Sequence, residues 1–318
     1  MEEITICFTG DWMLGRDING TNSFESKFAT DDKRVVYDNK IIKEYMERSD
    51  LIIGNLETTI TDHDKKEEKV FNFRIKESNR KWIKPVDVKM FFNIANNHIL
   101  DYGKQGMIDT MKNLDELDIK YTGAGRNLYE ARKVIRYNIK GKNIGIISAS
   151  DHYKEWMAKN DKGGINYIDY ENYQEYLEYI KQMKNELMIE ILILSIHWGG
   201  NYQLGIKDVY KRFAHDVMKV GVDIIHGHSS HHVKCIKSDG RKLIIYGNGD
   251  FINDYMIDKK YKSNLGMIIK VNIRQDKTIQ FLVVPTIIND RNVSLNVNEE
   301  DKKWVYNMIK NDCMIALI

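Results

Sequence analysis

Short, continuous apolar runs recur along the chain at Ile4 to Phe8, Leu51 to Ile53, Val88 to Ile94, Ile144 to Ile147, Ile191 to Ile196, Val222 to Ile225 and Leu243 to Tyr246. Runs of this length that do not alternate with polar residues predict strands covered on both faces. Between several of them, residues 40 to 48, 105 to 117, 170 to 186 and 206 to 220 place apolar side chains at helical spacing, with Val209, Phe213, Val217 and Val220 forming one stripe. This alternation predicts a layered α/β fold. Hairpin signals at Gly141-Lys142 and Asp239-Gly240, and a third pairing of Leu265 to Ile273 with Thr278 to Pro285, add antiparallel strands and so predict mixed sheets. Residues 298 to 311, with Trp304, Val305 and Met308 at helical spacing, predict a closing helix. No repeat or linker divides the chain, so we expect one domain over residues 1 to 318, with the strands and helix from about 262 packed on it.

Polar clusters stand where the apolar runs stop: Thr9-Gly10-Asp11, Gly54-Asn55-Leu56-Glu57, Ala95-Asn96-Asn97-His98, His197-Trp198-Gly199 and the segment His226 to His232, which holds four of the nine histidines. Each alone also reads as a cap, a turn or a hydrogen-bonded core group. Together they supply the carboxylates, amides and imidazoles that a two-metal hydrolase site needs, at strand ends where α/β sheets place their ligands. Arg74 and Arg126 are candidates for contact with an anionic substrate.

Composition narrows the picture. The 318 residues carry a net charge of +2, from 48 basic and 46 acidic side chains, so no overall field favours nucleic acid or an anionic membrane. Cys7, Cys235 and Cys313 form no CxxC pair, which argues against a disulfide framework or a thiolate zinc site. No basic and apolar leader opens the chain and no run reaches the ~18 to 20 apolar residues of a membrane span, so a cytoplasmic protein is expected.

The motifs in order are Phe8-Thr9-Gly10-Asp11, Asn55-Leu56-Glu57-Thr58, Ala95-Asn96-Asn97-His98 with Leu100-Asp101-Tyr102-Gly103, Gly123-Ala124-Gly125, His197-Trp198-Gly199, Gly227-His228 with His231, and Tyr246-Gly247-Asn248-Gly249-Asp250-Phe251. From about residue 4 to 255 this series resembles the poly-γ-glutamate capsule biosynthesis (CapA-type) family, itself similar to the calcineurin-like metallophosphoesterases. The resemblance implies a layered βαββ-type sandwich of two mixed β-sheets flanked by helices, and one or two divalent ions such as Mn²⁺, Fe or Zn²⁺. It implies Asp11 and His231 on a first metal, Glu57 bridging, and Asn97, His197 and His228 on a second, with His98 as general acid or anion-stabilising group.

The chain departs from the phosphoesterase pattern in three places: Asp11-Trp12-Met13 lacks the usual histidine, Glu57 replaces an aspartate, and two serines separate His228 from His231. His226, His231 and His232 therefore all stay open as the residue completing the set. Asp250 and Asn253 are read as groups supporting the ligands. The implied activity is metal-dependent hydrolysis of a phosphoester or of a γ-glutamyl amide in an acidic polymer. The alternative is a non-catalytic accessory or binding protein of a polyanion-synthesising assembly.

Overall fold

The structure is a computed structural model that describes residues 3–18, 36–253, 257–289 and 292–310. Strands β1 (Ile4–Trp12), β2 (Leu51–Leu56), β3 (Met90–Asn93) and β4 (Lys120–Thr122) lie side by side and parallel. The chain then builds a second sheet. β5 (Ile135–Ile139) turns back into β6 (Lys142–Ser150); β7 (Ile191–His197), β8 (Ile224–His228) and β10 (Leu243–Ile245) follow in parallel; and β9 (Ile236–Ser238) pairs antiparallel at the edge, giving the order β5-β6-β7-β8-β10-β9. Finally β11 (Asp250–Ile252), β12 (Leu265–Ile273) and β13 (Ile279–Asn289) return to the first sheet. The expected strands after residue 262 thus belong to that sheet itself, since β12 pairs antiparallel with β1 from Ile4↔Ile273 to Phe8↔Ile269.

The alternation of side chains across a strand explains why the sequence shows unbroken apolar runs. In β1, Ile4, Ile6 and Phe8 face inward against Ile144, Ile191, Ile193 and Ile224 of the second sheet, so this cluster is the filling of a two-sheet sandwich. Cys7, Ile52 and Phe92 point the other way, into a cluster with Met107, Met111 and Leu114 of helix α1 (Gly103–Glu116). The outer face of the second sheet, with Leu192, Leu194 and Ile225, is covered by Tyr176, Leu177 and Ile180 of α2 (Gln174–Glu186) and Phe213 and Val217 of α3 (Asp208–Lys219). The central strands of both sheets are thus covered on both faces, whereas Phe281 and Leu282 of β13 stay exposed. The closing helix α4 (Glu299–Lys310) buries Val305 against the sandwich filling, with Trp304 and Met308 beside it.

Three expectations change. Residues 40 to 48 form only a π-helical turn, Ile41–Met46. The segment from Val233 begins its strand late, at Ile236, because Lys234 N–H bonds to Gly247 C=O and Val233 only bridges to Asn248. Of the cysteines, Cys7 is a buried free thiol, whereas Cys235 is disulfide-bonded, although the spacing of the cysteines argued against a disulfide framework; Cys313 lies outside the described residues. Among the described residues, no helix is long and apolar enough to cross a membrane.

Candidate metal centre

Strand register brings the sequence clusters together. In the first sheet Asp11 pairs with Asn55 of β2 on one side and with Asp250 of β11 on the other. In the second sheet His197 of β7 pairs with His228 of β8. Asp11, Asn55, His197 and His228 stand at the carboxyl ends of parallel strands, where side chains leave the sheet into the loops, and Asp250 opens β11 beside them. Gly10 allows the close approach of β1 to the segment carrying Asp250: a Cβ there would stand 1.8 Å from the Gly249 carbonyl oxygen.

Glu57 Oε1 lies at the middle. His197 Nε2 is 3.7 Å from it, His231 Nε2 3.9 Å and His98 Nε2 4.0 Å. Asp11 joins through Asn55, whose Nδ2 donates to Asp11 Oδ1 at 2.7 Å and to Glu57 Oε2 at 3.3 Å. Asn96 in turn donates to Asn55 Oδ1, which orients that amide. Asp11 Oδ1 is 3.7 Å from His228 Nδ1, and Asp11 Oδ2 is 3.7 Å from His231 Nδ1. Carboxylate and imidazole atoms of Asp11, Glu57 and His231 all fall within 4.8 Å of one another, a spacing a single ion can span.

Glu57 Oε1, Asn97 Oδ1, His197 Nε2 and His228 Nδ1 are buried with no hydrogen-bond partner among the described residues. Buried polar atoms are nearly always satisfied, so four such atoms in one site call for a partner of another kind. A divalent cation supplies it, because each of the four can offer a lone pair. A proton relay prepares the last one. His226 Nε2 lies 3.0 Å from the Thr9 carbonyl, which can only accept, so that nitrogen carries the proton and Nδ1 accepts from Ser195 Oγ at 3.4 Å. Ser195 Oγ must then accept from His228 Nε2 at 2.9 Å, which leaves the His228 Nδ1 lone pair facing the site. His231 is set likewise: its Nδ1 lies 3.0 Å from Asp250 Oδ1, itself held by Asn253, so Nε2 turns toward Glu57.

The electrostatics of the protein alone ask for positive charge. Burial and then the neighbouring Asp250 carboxylate push Asp11 up to about 7, against partial relief from His231. Burial, with Asp11 and Asp250, holds Glu57 well above the ordinary glutamate range. Burial drives His197 and His228 far down, as neutral ligands require. Only His231 moves up: burial pulls it down, but Asp250 and Asp11 outweigh that.

His98 stands apart from the ligands in its bonding. Its Nδ1 meets Asp101 Oδ2 at 2.6 Å, its ring stacks on Phe73 with centroids 4.0 Å apart, and the residue lines a cavity of about 800 Å³. Asp101 also accepts from Phe73 N–H at 2.6 Å and from Lys69 Nζ at 2.5 Å, and Lys69 binds the Asn97 carbonyl as well. Burial lowers His98 to about 4, so the imidazole is neutral at pH 7.

Asp11, Glu57, His98, His197, His228 and His231 therefore converge, and Asn97 lines the same cavity as His98 and His231. The two arginines do not join them. Arg74 binds the His63 carbonyl and Asp64 and lies over the Tyr102 ring, while Arg126 pairs with Glu130 on the surface. The three candidate histidines separate: His226 is the end of the proton relay, His232 Nδ1 faces the Val233 carbonyl while its ring stacks on Tyr261, and His231 enters the site. Sequence reading gave no role to Asn55, Lys69 or Ser195. Ser195 had a visible signal, as the one polar residue inside the Ile191 to Ile196 run. Lys69 had none, since it sits in an ordinary charged stretch.

Comparison with known proteins agrees with the motif series. The family described as "Bacterial capsule synthesis protein PGA_cap" matches residues 5–255. "Capsule biosynthesis protein CapA" of Bacillus anthracis is 26% identical over 317 residues, covering 98% of this chain and 74% of that one. "PGA biosynthesis protein CapA" of Bacillus subtilis is 27% identical, covering 90% and 72%. A "Probable polyglutamine synthesis accessory protein" of Mycobacterium tuberculosis is 33% identical over 215 residues, 65% of this chain and 56% of its own length. Among solved structures, the NAD nucleotidase of Haemophilus influenzae overlaps 96% of this chain and 55% of its own at 13% identity, with a TM-score of 0.45. The match over most of the chain decides the family: this protein belongs to the bacterial capsule synthesis proteins of the PGA_cap (CapA) type.

Proposed function

We propose that the chain is a metal-dependent hydrolase of the metallophosphoesterase-like type, acting on a phosphoester or on a γ-glutamyl amide and connected with poly-γ-glutamate metabolism. The observation that carries this reading is the set of four buried, unpartnered lone-pair atoms, Glu57 Oε1, Asn97 Oδ1, His197 Nε2 and His228 Nδ1. Asp11, His231 and Glu57 would hold one ion, and Glu57, Asn97, His197 and His228 a second, with Mn²⁺, Fe and Zn²⁺ all suited to such ligands. When bound, such ions lower the pKa of water and polarise the bond under attack.

The chain's own residues supply the rest. His98, neutral at rest, accepts a proton at Nε2 from the attacking water and returns it to the leaving oxygen or nitrogen. Asp101 fixes the ring through Nδ1 and supports the imidazolium formed in between. Lys69 keeps Asp101 in place, and Phe73 holds the imidazole plane. The substrate in this reading is a small anion or an acidic polymer segment that fits the cavity.

A second reading, a non-catalytic accessory protein that keeps the fold and some metal, is favoured by Met13, which stands where an imidazole would complete the Asp11 side. One experiment separates the two. Purified chain loaded in turn with Mn²⁺, Fe²⁺ and Zn²⁺ is assayed on p-nitrophenyl phosphate and on γ-glutamyl p-nitroanilide, beside His98→Ala. Turnover that falls about 10² to 10⁴-fold in the variant, with metal content unchanged, supports the hydrolase. Metal-loaded protein that turns over neither substrate supports the accessory role.

A further inference from the structure

Three strands of the second sheet end side by side at the centre, and β6 is the one that supplies none of its ligands. Register sets Ser150, His197 and His228 abreast at the ends of β6, β7 and β8, and beyond Ser150 the chain runs into Asp151 and His152. These two consecutive side chains grip Gly199, in the next loop, at both its N–H and its C=O. Gly199 N–H donates to Asp151 Oδ2 at 3.0 Å and to Oδ1 at 3.2 Å. His152 Nε2 lies 2.8 Å from the Gly199 carbonyl, which can only accept, so that nitrogen carries the ring proton and donates it. Asp151 Oδ1 stands 3.3 Å from the same nitrogen and supports that tautomer.

The Gly199 carbonyl holds a second group. Ser229 Oγ donates to it at 2.7 Å, and Ser229 N–H donates to Asp11 Oδ2 at 3.2 Å. Ser229 takes φ 85°, a left-handed angle that a residue with a Cβ keeps only where its surroundings enforce it. The path from His152 through the Gly199 carbonyl and Ser229 therefore ends on a carboxylate of the first sheet. A shorter path reaches the second sheet's own ligand. Asp151 N–H donates to the His197 carbonyl at 3.2 Å, and the His152 ring stands edge-on to the His197 ring with centroids 4.8 Å apart.

We infer that Asp151 and His152 are positioning residues of the metal centre: by fixing Gly199 they hold Asp11 and His197, one from each sheet, at the spacing an ion needs. The inference rests on the metal-centre reading above and adds to it the loop that assembles the site before an ion arrives. What this loop supplies is hydrogen bonds, so the donor of His152 matters more than its ring. Groups that orient ligands in this way are worth about 10 to 100-fold in metal affinity.

Equilibrium dialysis of Mn²⁺ against the full chain tests this, with the metal-free Tm measured beside it. His152→Phe keeps a ring against His197 and removes the donor, whereas His152→Gln removes the ring and returns an amide N–H close to the place of Nε2. We expect His152→Phe and Asp151→Ala to weaken Mn²⁺ binding about 10 to 100-fold with the metal-free Tm near that of wild type, and His152→Gln to bind within a few-fold of wild type. Ser229→Ala cuts the other bond to the same carbonyl; it should weaken binding likewise and gives a second test should the first variants fold poorly. Wild-type affinity in His152→Phe, a His152→Gln that binds as weakly as His152→Phe, or affinity lost only in step with the metal-free Tm overturns the positioning role and leaves the metal centre standing. A wild type that takes up none of Mn²⁺, Fe²⁺ and Zn²⁺ overturns both.

Discussion

Glu57→Gln should act in opposite directions with and without metal. The carboxylate stands in contact range of three imidazoles, beside Asp11, and its Oε1 has no hydrogen-bond partner. With an ion at a hundredfold excess over its Kd, binding adds about 2.7 kcal/mol to stability. Unfolding entropy of about 2.1 cal/mol/K per residue gives about 0.7 kcal/mol/K for 318 residues, so the wild type should gain about 4 °C in Tm. Losing the central ligand weakens affinity by at least about 100-fold, the upper range for a mere supporting group, and the gain falls to about 0.4 kcal/mol, or below 1 °C.

In chelator the sign reverses. A carboxyl raised by burial and by Asp11 and Asp250 favours the fold only below its unfolded value, and that contribution is lost as pH rises through the folded one. At pH 8, well above the unfolded value, the raised Glu57 carboxyl therefore costs stability that glutamine does not, and the variant should melt at or above the wild-type Tm; at pH 4 the two should converge. Differential scanning calorimetry with and without Mn²⁺ reads both effects. A variant that melts several degrees lower in chelator, or keeps the full metal-induced shift, refutes the assignment of Glu57 as a ligand held for an ion.

Ser195→Ala breaks the relay that sets the His228 tautomer, and should weaken metal binding about 10 to 100-fold with little change in the metal-free Tm, checked by equilibrium dialysis. Protons on Asp11, raised to about 7, and on the likewise raised Glu57 compete with the ion, so apparent metal affinity in the wild type should fall at least roughly tenfold per unit below pH 7; titration calorimetry from pH 5.5 to 8.5 would show this, and a flat profile would contradict it. Gly10→Ala puts a methyl 1.8 Å from the Gly249 carbonyl, so it should destabilise by about 1 to 3 kcal/mol and lower metal content through the displaced Asp250; a thermal melt and elemental analysis together check it.

The strands were legible because burial on both faces writes short unbroken apolar runs, and the site clusters were legible because polar side chains at the ends of such runs have few other reasons to be there. Asp11, Glu57, Asn97, His197 and His228 all lie where those runs end, and the parallel register then aligns them. Helices were legible where they cover a sheet, as with Phe213 and Val217, and least so at 40 to 48, where the turn is π-helical.

By itself, then, the sequence determined most of the strands and helices, the family resemblance, and the set of residue types from which a metal centre could be made, but not the short strands β4 and β11. Tertiary structure decided which members of that set meet. His231 rather than His226 or His232 enters the site because Ser229 and His231 take left-handed backbone angles, φ 85° and 53°, that turn the loop, and because Thr9 and Val233 carbonyls hold the other two rings. Arg74 and Arg126 look alike in sequence to any substrate-binding arginine, yet Asp64 and Glu130 hold them elsewhere. Local pattern records what each residue must bury, whereas the meeting of groups 44 to 217 positions apart depends on how two sheets stack, and no local pattern carries that.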